Sequence, residues 1–417
     1  MNESIRDEIL TKRLQFPSWL VYLLIIFIIS GVAAFLSRAL GKDAGGAWQI
    51  LLVNFLFWTG VSQAGIIFSC ALRITNARWA RPLLRISEGF GSFLPVSFIL
   101  LIVIFLGKNH ILPYATEHYH SPKDIWLNIP FVMSRDIGGF FILIILSILY
   151  LYYSLRQDLG GIGDRLSGIS GWISSRWKGE IERNEIWRKI RWLAPAVVLA
   201  YVVVFSFFAW DLMMSLDPLW LSTLFGPFYF VGSLVAAIGT TIIFSVFVRK
   251  YTGLQDYITE RQYHDMGKLL LGFSMFWVYL FYSQYLPIWY GNMPEEATFV
   301  FKRVRVEPFT TLSWVVLSCC FVFPFFTLLS RTHKIVKPIL VFIATVSITG
   351  FWLEKYVLVV PSLTNEFNFG LIQVLITLGF AAGFILTFIL FVRAFPIIPF
   401  GDPYFDGKAG SNHSGGH

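Results

Sequence analysis

Phe351-Trp352-Leu353-Glu354-Lys355-Tyr356-Val357-Leu358-Val359-Val360-Pro361 closes an apolar run that begins near Ile339. The run is long enough to cross a membrane, because a spanning helix needs about 20 apolar residues. Glu354 and Lys355 sit inside it. A charge near a bilayer centre costs ~2.5–3.5 kcal/mol on insertion scales. Two adjacent charges therefore require either compensating partners or a function.

The same apolar pattern recurs along the whole chain. Of its 417 residues, 56% are hydrophobic and 14% charged, with 42 Phe and 15 Trp. Soluble domains average about 45–50% apolar and about 25% charged, so the composition points to an all-α integral membrane protein. Ten spans are predicted, at 17–37, 47–70, 89–107, 129–154, 193–214, 219–248, 267–288, 308–330, 336–360 and 369–395. Pro17, Pro130, Pro195, Pro218, Pro287, Pro308, Pro338, Pro361 and Pro396 mark their ends, whereas Pro95, Pro227 and Pro324 fall inside and are expected to kink them. Residues 17–400 form one ten-helix domain, preceded by a polar segment, 1–16, with no signal-peptide pattern. Residues 401–417, ending Gly-Ser-Asn-His-Ser-Gly-Gly-His, read as a flexible tail.

Lysine and arginine set the expected orientation. The N-terminal segment, the connections after helices 2, 4, 6 and 8, and the C-terminal tail carry 24 of them, against 7 on the other side. Both termini are thus expected to be cytoplasmic. Basic cytoplasmic loops also account for the net charge of +8 better than nucleic-acid binding does. Loop 155–192 mixes Trp172, Trp177, Trp187 and Trp192 with six basic residues between Arg176 and Arg191. That mixture predicts an interfacial helix on an anionic leaflet. His110, His118 and His120 share an outer loop, but no Cys or carboxylate completes a ligand set, so no metal site is expected. Cys70, Cys319 and Cys320 are too few for an iron–sulfur cluster or a disulfide framework.

The titratable residues inside the spans gather on one side. Arg135 and Asp136 begin helix 4, Asp211 ends helix 5, and Asp217 occupies the short turn that follows. Glu354 lies roughly 7–9 Å outside the middle of helix 9, with Lys355 beside it. The cytoplasmic half carries less: Glu88, and the neutral Gln63 and Asn54. The asymmetry suggests a polar relay opening outward; ion pairs that merely lock helices together are the alternative. Adjacent helical residues point about 100° apart, so Glu354 and Lys355 are expected to have separate partners, or Lys355 to snorkel. Trp210, Tyr282, Gln284, Tyr285 and Trp352 are candidates for lining a quinone-ring pocket, although aromatics at helix ends also form interfacial belts. All seven histidines fall in loops, at helix ends or in the tail, which argues against a transmembrane haem. No strand–helix phosphate loop is present, and no paired helix interruption of the secondary-transporter kind is clear.

Two stretches carry a resemblance. Asp211-Leu212-Met213-Met214-Ser215-Leu216-Asp217-Pro218 with Trp220–Gly226, and Tyr282-Ser283-Gln284-Tyr285-Leu286-Pro287-Ile288-Trp289-Tyr290-Gly291-Asn292-Met293-Pro294-Glu295-Glu296, together with Phe351–Pro361, resemble the F subunit of bacterial alternative complex III. That subunit belongs to the polysulfide-reductase membrane-subunit (NrfD-like) superfamily. The resemblance covers residues 17 to about 400. It implies two four-helix bundles, helices 2–5 and 6–9, with helices 1 and 10 peripheral. It further implies a bacterial cytoplasmic membrane and a quinol:electron-acceptor oxidoreductase complex. Expected partners are a homologous C-type membrane subunit, an iron–sulfur subunit, haem c subunits and small membrane subunits. No covalent or metal-ligated cofactor is expected in this chain; menaquinone or another quinone and lipids are its candidate ligands. The implied role is proton handling during quinol oxidation, without catalytic activity of the chain alone, with Asp211, Glu354 and Lys355 central and Arg135, Asp136 and Asp217 supporting. A quinol site in this chain, or a pure scaffold, are the alternatives.

Overall fold

Ten apolar helices account for most of the computed structural model. It describes residues 16–405 apart from 40, 42, 43, 117–122, 161–167, 176, 253, 254, 365 and 368. The helices are α1 (Ser18–Ala39), α2 (Ala44–Ile74), α3 (Arg78–Leu106), α4 (Ile129–Leu159), α5 (Glu180–Leu216), α6 (Phe225–Tyr251), α7 (Glu260–Gly291), α8 (Phe309–Leu328), α9 (Lys337–Leu363) and α10 (Leu371–Ala394). Each has at least 20 residues, enough for the roughly 30 Å of a bilayer core at 1.5 Å per residue. The described residues contain no strand. The protein is an all-α, multi-pass membrane protein.

Local chemistry explains where the helices depart from expectation. Pro130 and Pro338 lie in the first turns of α4 and α9, where a missing N–H removes nothing. Pro195, Pro287 and Pro361 do not end their helices but lie within them. Pro324 follows a π turn, Ser318–Val322, a wider turn suited to accommodating the carbonyl that the proline leaves without a donor. Loop 155–192 is shorter than predicted, because α4 runs on to Leu159 and α5 already starts at Glu180. Glu180 and Glu182 in that first turn suit a helix N-terminus. Among the described residues between them stands one short helix, Gly168–Ser174, which carries Trp172. Helix α6 begins at Phe225 and not at 219. Trp220 is drawn aside to stack on Phe299, with ring centroids 3.8 Å apart.

Packing yields the two expected bundles. Helices α2 to α5 contact one another in a ring, as do α6 to α9, and the rings join where α2 and α5 meet α6. Helices α1 and α10 pair with each other and lean on α2. Their crossing is very close: a Cβ on Gly31 would lie 2.9 Å from the Leu375 carbonyl oxygen and 3.0 Å from the Gly379 Cα. Helix α2 is 94% buried across its apolar window, because both bundles and α10 surround it. It can therefore carry Asn54, Thr59, Ser62, Gln63, Ser69 and Arg73 without exposing them to lipid.

An even number of crossings brings the chain ends to one face. Arg393 Nη2, at the end of α10, donates to the Phe16 carbonyl at 3.4 Å. We call this the terminal face and the other the opposite face. Residues 401–405 do not begin a free tail: Asp402 is buried among the helix ends, and the rest of the predicted tail, 406–417, lies outside the described residues.

Candidate functional site

The opposite-face ends of α4 and α5 build the first site. Arg135 Nε and Nη2 both donate to Asp211 Oδ2, at 3.0 and 2.5 Å. Trp126 Nε1 donates to Asp211 Oδ1 at 3.1 Å, and its ring lies 3.9 Å from the guanidinium carbon of Arg135. Asp211 thus accepts three hydrogen bonds, and its cation is held by a charge-assisted fork and a cation–π face. Tyr114, in the preceding loop, donates its hydroxyl to the Asp211 backbone carbonyl at 3.0 Å. Burial, then the nearby carboxylates of Asp211 and Asp136, push that phenol well above its usual range, so it stays a donor.

Asp136 is different. Its side chain is fully buried, and neither carboxylate oxygen meets a hydrogen-bond donor. Asp211 lies beside it. A contact between two carboxylates becomes a hydrogen bond only when one carries a proton. One guanidinium facing two carboxylates leaves one negative charge if both acids ionise, and none if they share a proton.

Glu354 and Lys355 form a second, separate site in the other bundle. Lys355 Nζ lies 2.5 Å from Glu354 Oε2, and both residues are buried. This corrects the expectation of separate partners: the two Cα–Cβ bonds diverge by about 100°, but both side chains are long enough to curl together. Trp277 Nε1 of α7 donates to Glu354 Oε1 at 3.1 Å, and the Lys355 ammonium lies 4.9 Å from the Tyr229 ring of α6. Snorkelling is excluded by burial. The pair is electrically neutral and each member has a second contact.

Next to Glu354 lies a cavity of about 130 Å³, walled by Phe228, Trp277, Phe281, Gln284, Tyr285 and Phe299. A cavity of roughly 150 Å³ holds one benzene ring. Arg303, from the helix Pro294–Val304, closes one end. It donates to the carbonyls of Phe299, Val357 and Leu358 at 2.7, 3.0 and 2.7 Å. Burial lowers this guanidinium to about 9, against the opposing pull of Asp217, so it remains a cation at neutral pH. Asp217 itself reaches Lys302 at 3.7 Å and lines a different pocket, with Trp126, Trp210 and Trp220.

The proposed ring-pocket residues therefore divide. Gln284 and Tyr285 line the cavity. Tyr282 points outward, 55% exposed. Trp210 packs near Trp126, ring centroids 6.4 Å apart, and Trp352 donates from Nε1 to Asn54 Oδ1 at 3.0 Å. Side-chain direction around the helix, not depth, separates these groups. Of the outer-loop histidines, His110 stacks near Trp48, and His118 and His120 lie outside the described residues.

A third cluster was missed apart from Glu88. At the terminal face Arg73, Arg81 and Arg85 meet Glu88, Asp158 and Asp402, all buried. Arg85 pairs with Glu88 at 2.5 Å and with Asp158; Arg81 pairs with Asp402 at 3.0 Å. From there polar contacts continue inward: Ser69 to Glu88 at 2.7 Å, Ser69 to Tyr150 at 2.8 Å, and Gln63 to Ser147 at 2.9 Å. Phe140, which lies between Ser147 and Asp136 on α4, packs on Phe208 with centroids 5.3 Å apart, and Phe208 on Phe55 at 5.9 Å. The basic residues read from sequence as a loop-charge bias, because their partners lie on α4 and after α10. A usable signal was the spacing of Ser147, Tyr150, Ser154 and Asp158, one turn apart on one face of α4.

Fold and sites together define a multi-pass membrane protein with charged clusters in its interior. No family model matches the chain. It is similar to a Halobacterium salinarum protein named as a membrane subunit of a dimethyl sulfoxide reductase, with 25% identity over 246 residues, 58% of this chain and 52% of that relative. The chain thus spans about half the length of the curated relative it matches.

Proposed function

We propose that this chain is the integral membrane subunit of a multi-subunit redox complex, and that it handles protons at Asp136 and Asp211 while carrying no electrons itself. The name of the Halobacterium relative supports a membrane subunit of a redox assembly. The two sequence stretches in the loop after α5 and at the end of α7 support the finer reading, the F subunit of an alternative complex III. The partners in that reading are a homologous membrane subunit, an iron–sulfur subunit and haem c subunits, in a bacterial cytoplasmic membrane with the terminal face inside.

One observation carries the proton role: the fully buried Asp136 carboxylate has no donor and stands beside Asp211, which is paired with Arg135. Two adjoining carboxylates with one guanidinium between them can share a single proton, which would leave when the Arg135 pairing shifts. Quinol oxidation releases protons, and Asp136 and Asp211 are buried at the opposite-face ends of α4 and α5. In the assembled complex, Asp136→Asn should abolish proton release to the opposite-face side during turnover, while quinol oxidation persists in uncoupled membranes with its protons leaving by another route. Unchanged proton release would sink the assignment.

A second reading has its own support. The cavity beside Glu354, at about 130 Å³, approaches the roughly 150 Å³ that holds one benzene ring, with the Gln284 amide and the Glu354 carboxylate as polar wall groups. A quinone, when bound, supplies a two-electron, two-proton couple; here this chain would orient its ring through Gln284 and Glu354. A ring-bearing photoaffinity quinone that labels α7 or α9 favours this reading, and labelling confined to partner subunits removes it.

A further inference from the structure

Residues 395–405 leave α10 and strap across the terminal face. Ile398 and Phe400 are buried. The Gly401 N–H donates to Asp158 Oδ1 at 2.8 Å. A Cβ on Gly401 would lie 2.2 Å from the Gln157 carbonyl oxygen, so only glycine threads this gap. Asp402 Oδ2 then accepts from Arg81 Nη1 at 3.0 Å and lies 3.8 Å from Arg73 Nη1. Tyr404 covers the arrangement, its ring 5.4 Å from the Arg81 guanidinium.

Charge and donor counts say what this place can hold. Without the strap, the helices bring Arg73, Arg81 and Arg85 against only Glu88 and Asp158, an excess of one buried cation. Asp402 cancels that charge but accepts a hydrogen bond only from Arg81 Nη1 among the donors of Arg73 and Arg81. Arg81 Nε and Nη2 and Arg73 Nε and Nη1 are buried without a hydrogen-bond partner, and the second Asp402 oxygen is taken by the Tyr404 N–H at 3.0 Å. A carboxylate is thus an incomplete occupant. A phosphate group presents more oxygens to two guanidinium forks, the pairing for which arginine is best shaped. The site lies where α2 ends and α3 begins, at a helix-end depth where lipid headgroups sit.

We propose that Arg73 and Arg81 form a binding site for a phosphate group, that of an anionic lipid or free phosphate, which Asp402 fills in cis. Withdrawal of the strap exchanges the internal carboxylate for the external anion. The site is independent of the Asp136 reading and is tested without turnover.

The test uses the full chain in neutral detergent, as wild type and as Asp402→Ala. Native mass spectrometry with phosphatidylglycerol and phosphatidylcholine, and thermal shift with inorganic phosphate, read the binding. Asp402→Ala should retain one phosphatidylglycerol at least ten-fold more tightly than wild type, show no gain for phosphatidylcholine, and lose the gain when Arg81→Gln is added. A thermal shift with inorganic phosphate and no lipid retention identifies free phosphate as the ligand. If Asp402→Ala does not fold, Gly401→Ala displaces the strap while leaving every charge in place, and the same comparison applies. A folded variant that gains neither anion, or a gain that survives Arg81→Gln, overturns the proposal.

Discussion

Arg303 Nε donates to the Val357 carbonyl at 3.0 Å, and that carbonyl is the one Pro361 cannot engage. Proline has no N–H, so the oxygen four residues earlier is left without its helical partner. In a membrane-buried helix an unpaired carbonyl is costly. A residue from outside the spans thus completes α9 one turn beyond Glu354. Arg303→Gln should destabilise the fold by about 1.5–3 kcal/mol, the range for hydrogen bonds to a charged group. Pro361→Ala restores the helical donor, and in that background the cost should fall by roughly 1 kcal/mol. Equal costs in both backgrounds, measured by denaturant unfolding in detergent, would show that Arg303 serves the Phe299 and Leu358 carbonyls alone.

Removing one member of the Glu354–Lys355 pair strands the other. Breaking a buried ion pair in this way costs about 3–5 kcal/mol, whereas replacing both members by apolar residues of similar size is often neutral. Glu354→Gln and Lys355→Met should each lower the thermal midpoint, and the double variant should recover most of the loss. Turnover-linked proton release in the double variant then separates a lock from a relay. Recovery of stability and coupling together favours the lock; recovery of stability alone favours the relay.

Asp211 and Asp136 should respond unequally. Asp211→Asn takes the fork from Arg135 and leaves a partly buried cation with Asp136 beside it, so a loss of about 3 kcal/mol, the low end for a broken buried pair, is expected. Asp136→Asn removes no donor's partner and should change stability by less than about 1 kcal/mol. Arg135→Lys keeps the charge but not the fork, and should fall between them. Similar losses for both aspartates in equilibrium unfolding would contradict the geometry described for Asp136.

The α1–α10 contact depends on backbone approach. A side chain at Gly379 must displace Gly31, whose Cα lies 3.1 Å from the ideal Cβ position. Gly379→Leu should therefore separate the pair at a cost of about 1–3 kcal/mol, the range for overpacking. Faster proteolysis between α1 and α2, with the remaining helices protected, is the expected readout. An unchanged cleavage rate would mean that α1 is held by its lipid contacts and not by α10.

Much of the architecture was legible in the chain itself. Ten apolar runs must become helices in a bilayer, because nothing else satisfies the backbone there. The depth of Asp211 and Glu354 followed from counting residues along those runs. The limits were angular. Depth places Trp210, Tyr282, Gln284 and Trp352 near one another, yet only packing shows that Gln284 faces the cavity while Tyr282 faces outward.

The sequence by itself determined that this protein crosses a membrane ten times and conceals charges within it. It also determined where along each helix those charges lie, since hydropathy and helical rise are local properties. Only the tertiary structure decided which charges meet. It divided an apparent single group into the Arg135–Asp211 site and the Glu354–Lys355 site, and it turned loop arginines and a tail aspartate into a buried cluster. The physical reason is that an ion pair depends on which helix faces join, and those joins link residues as distant in the chain as Arg81 and Asp402.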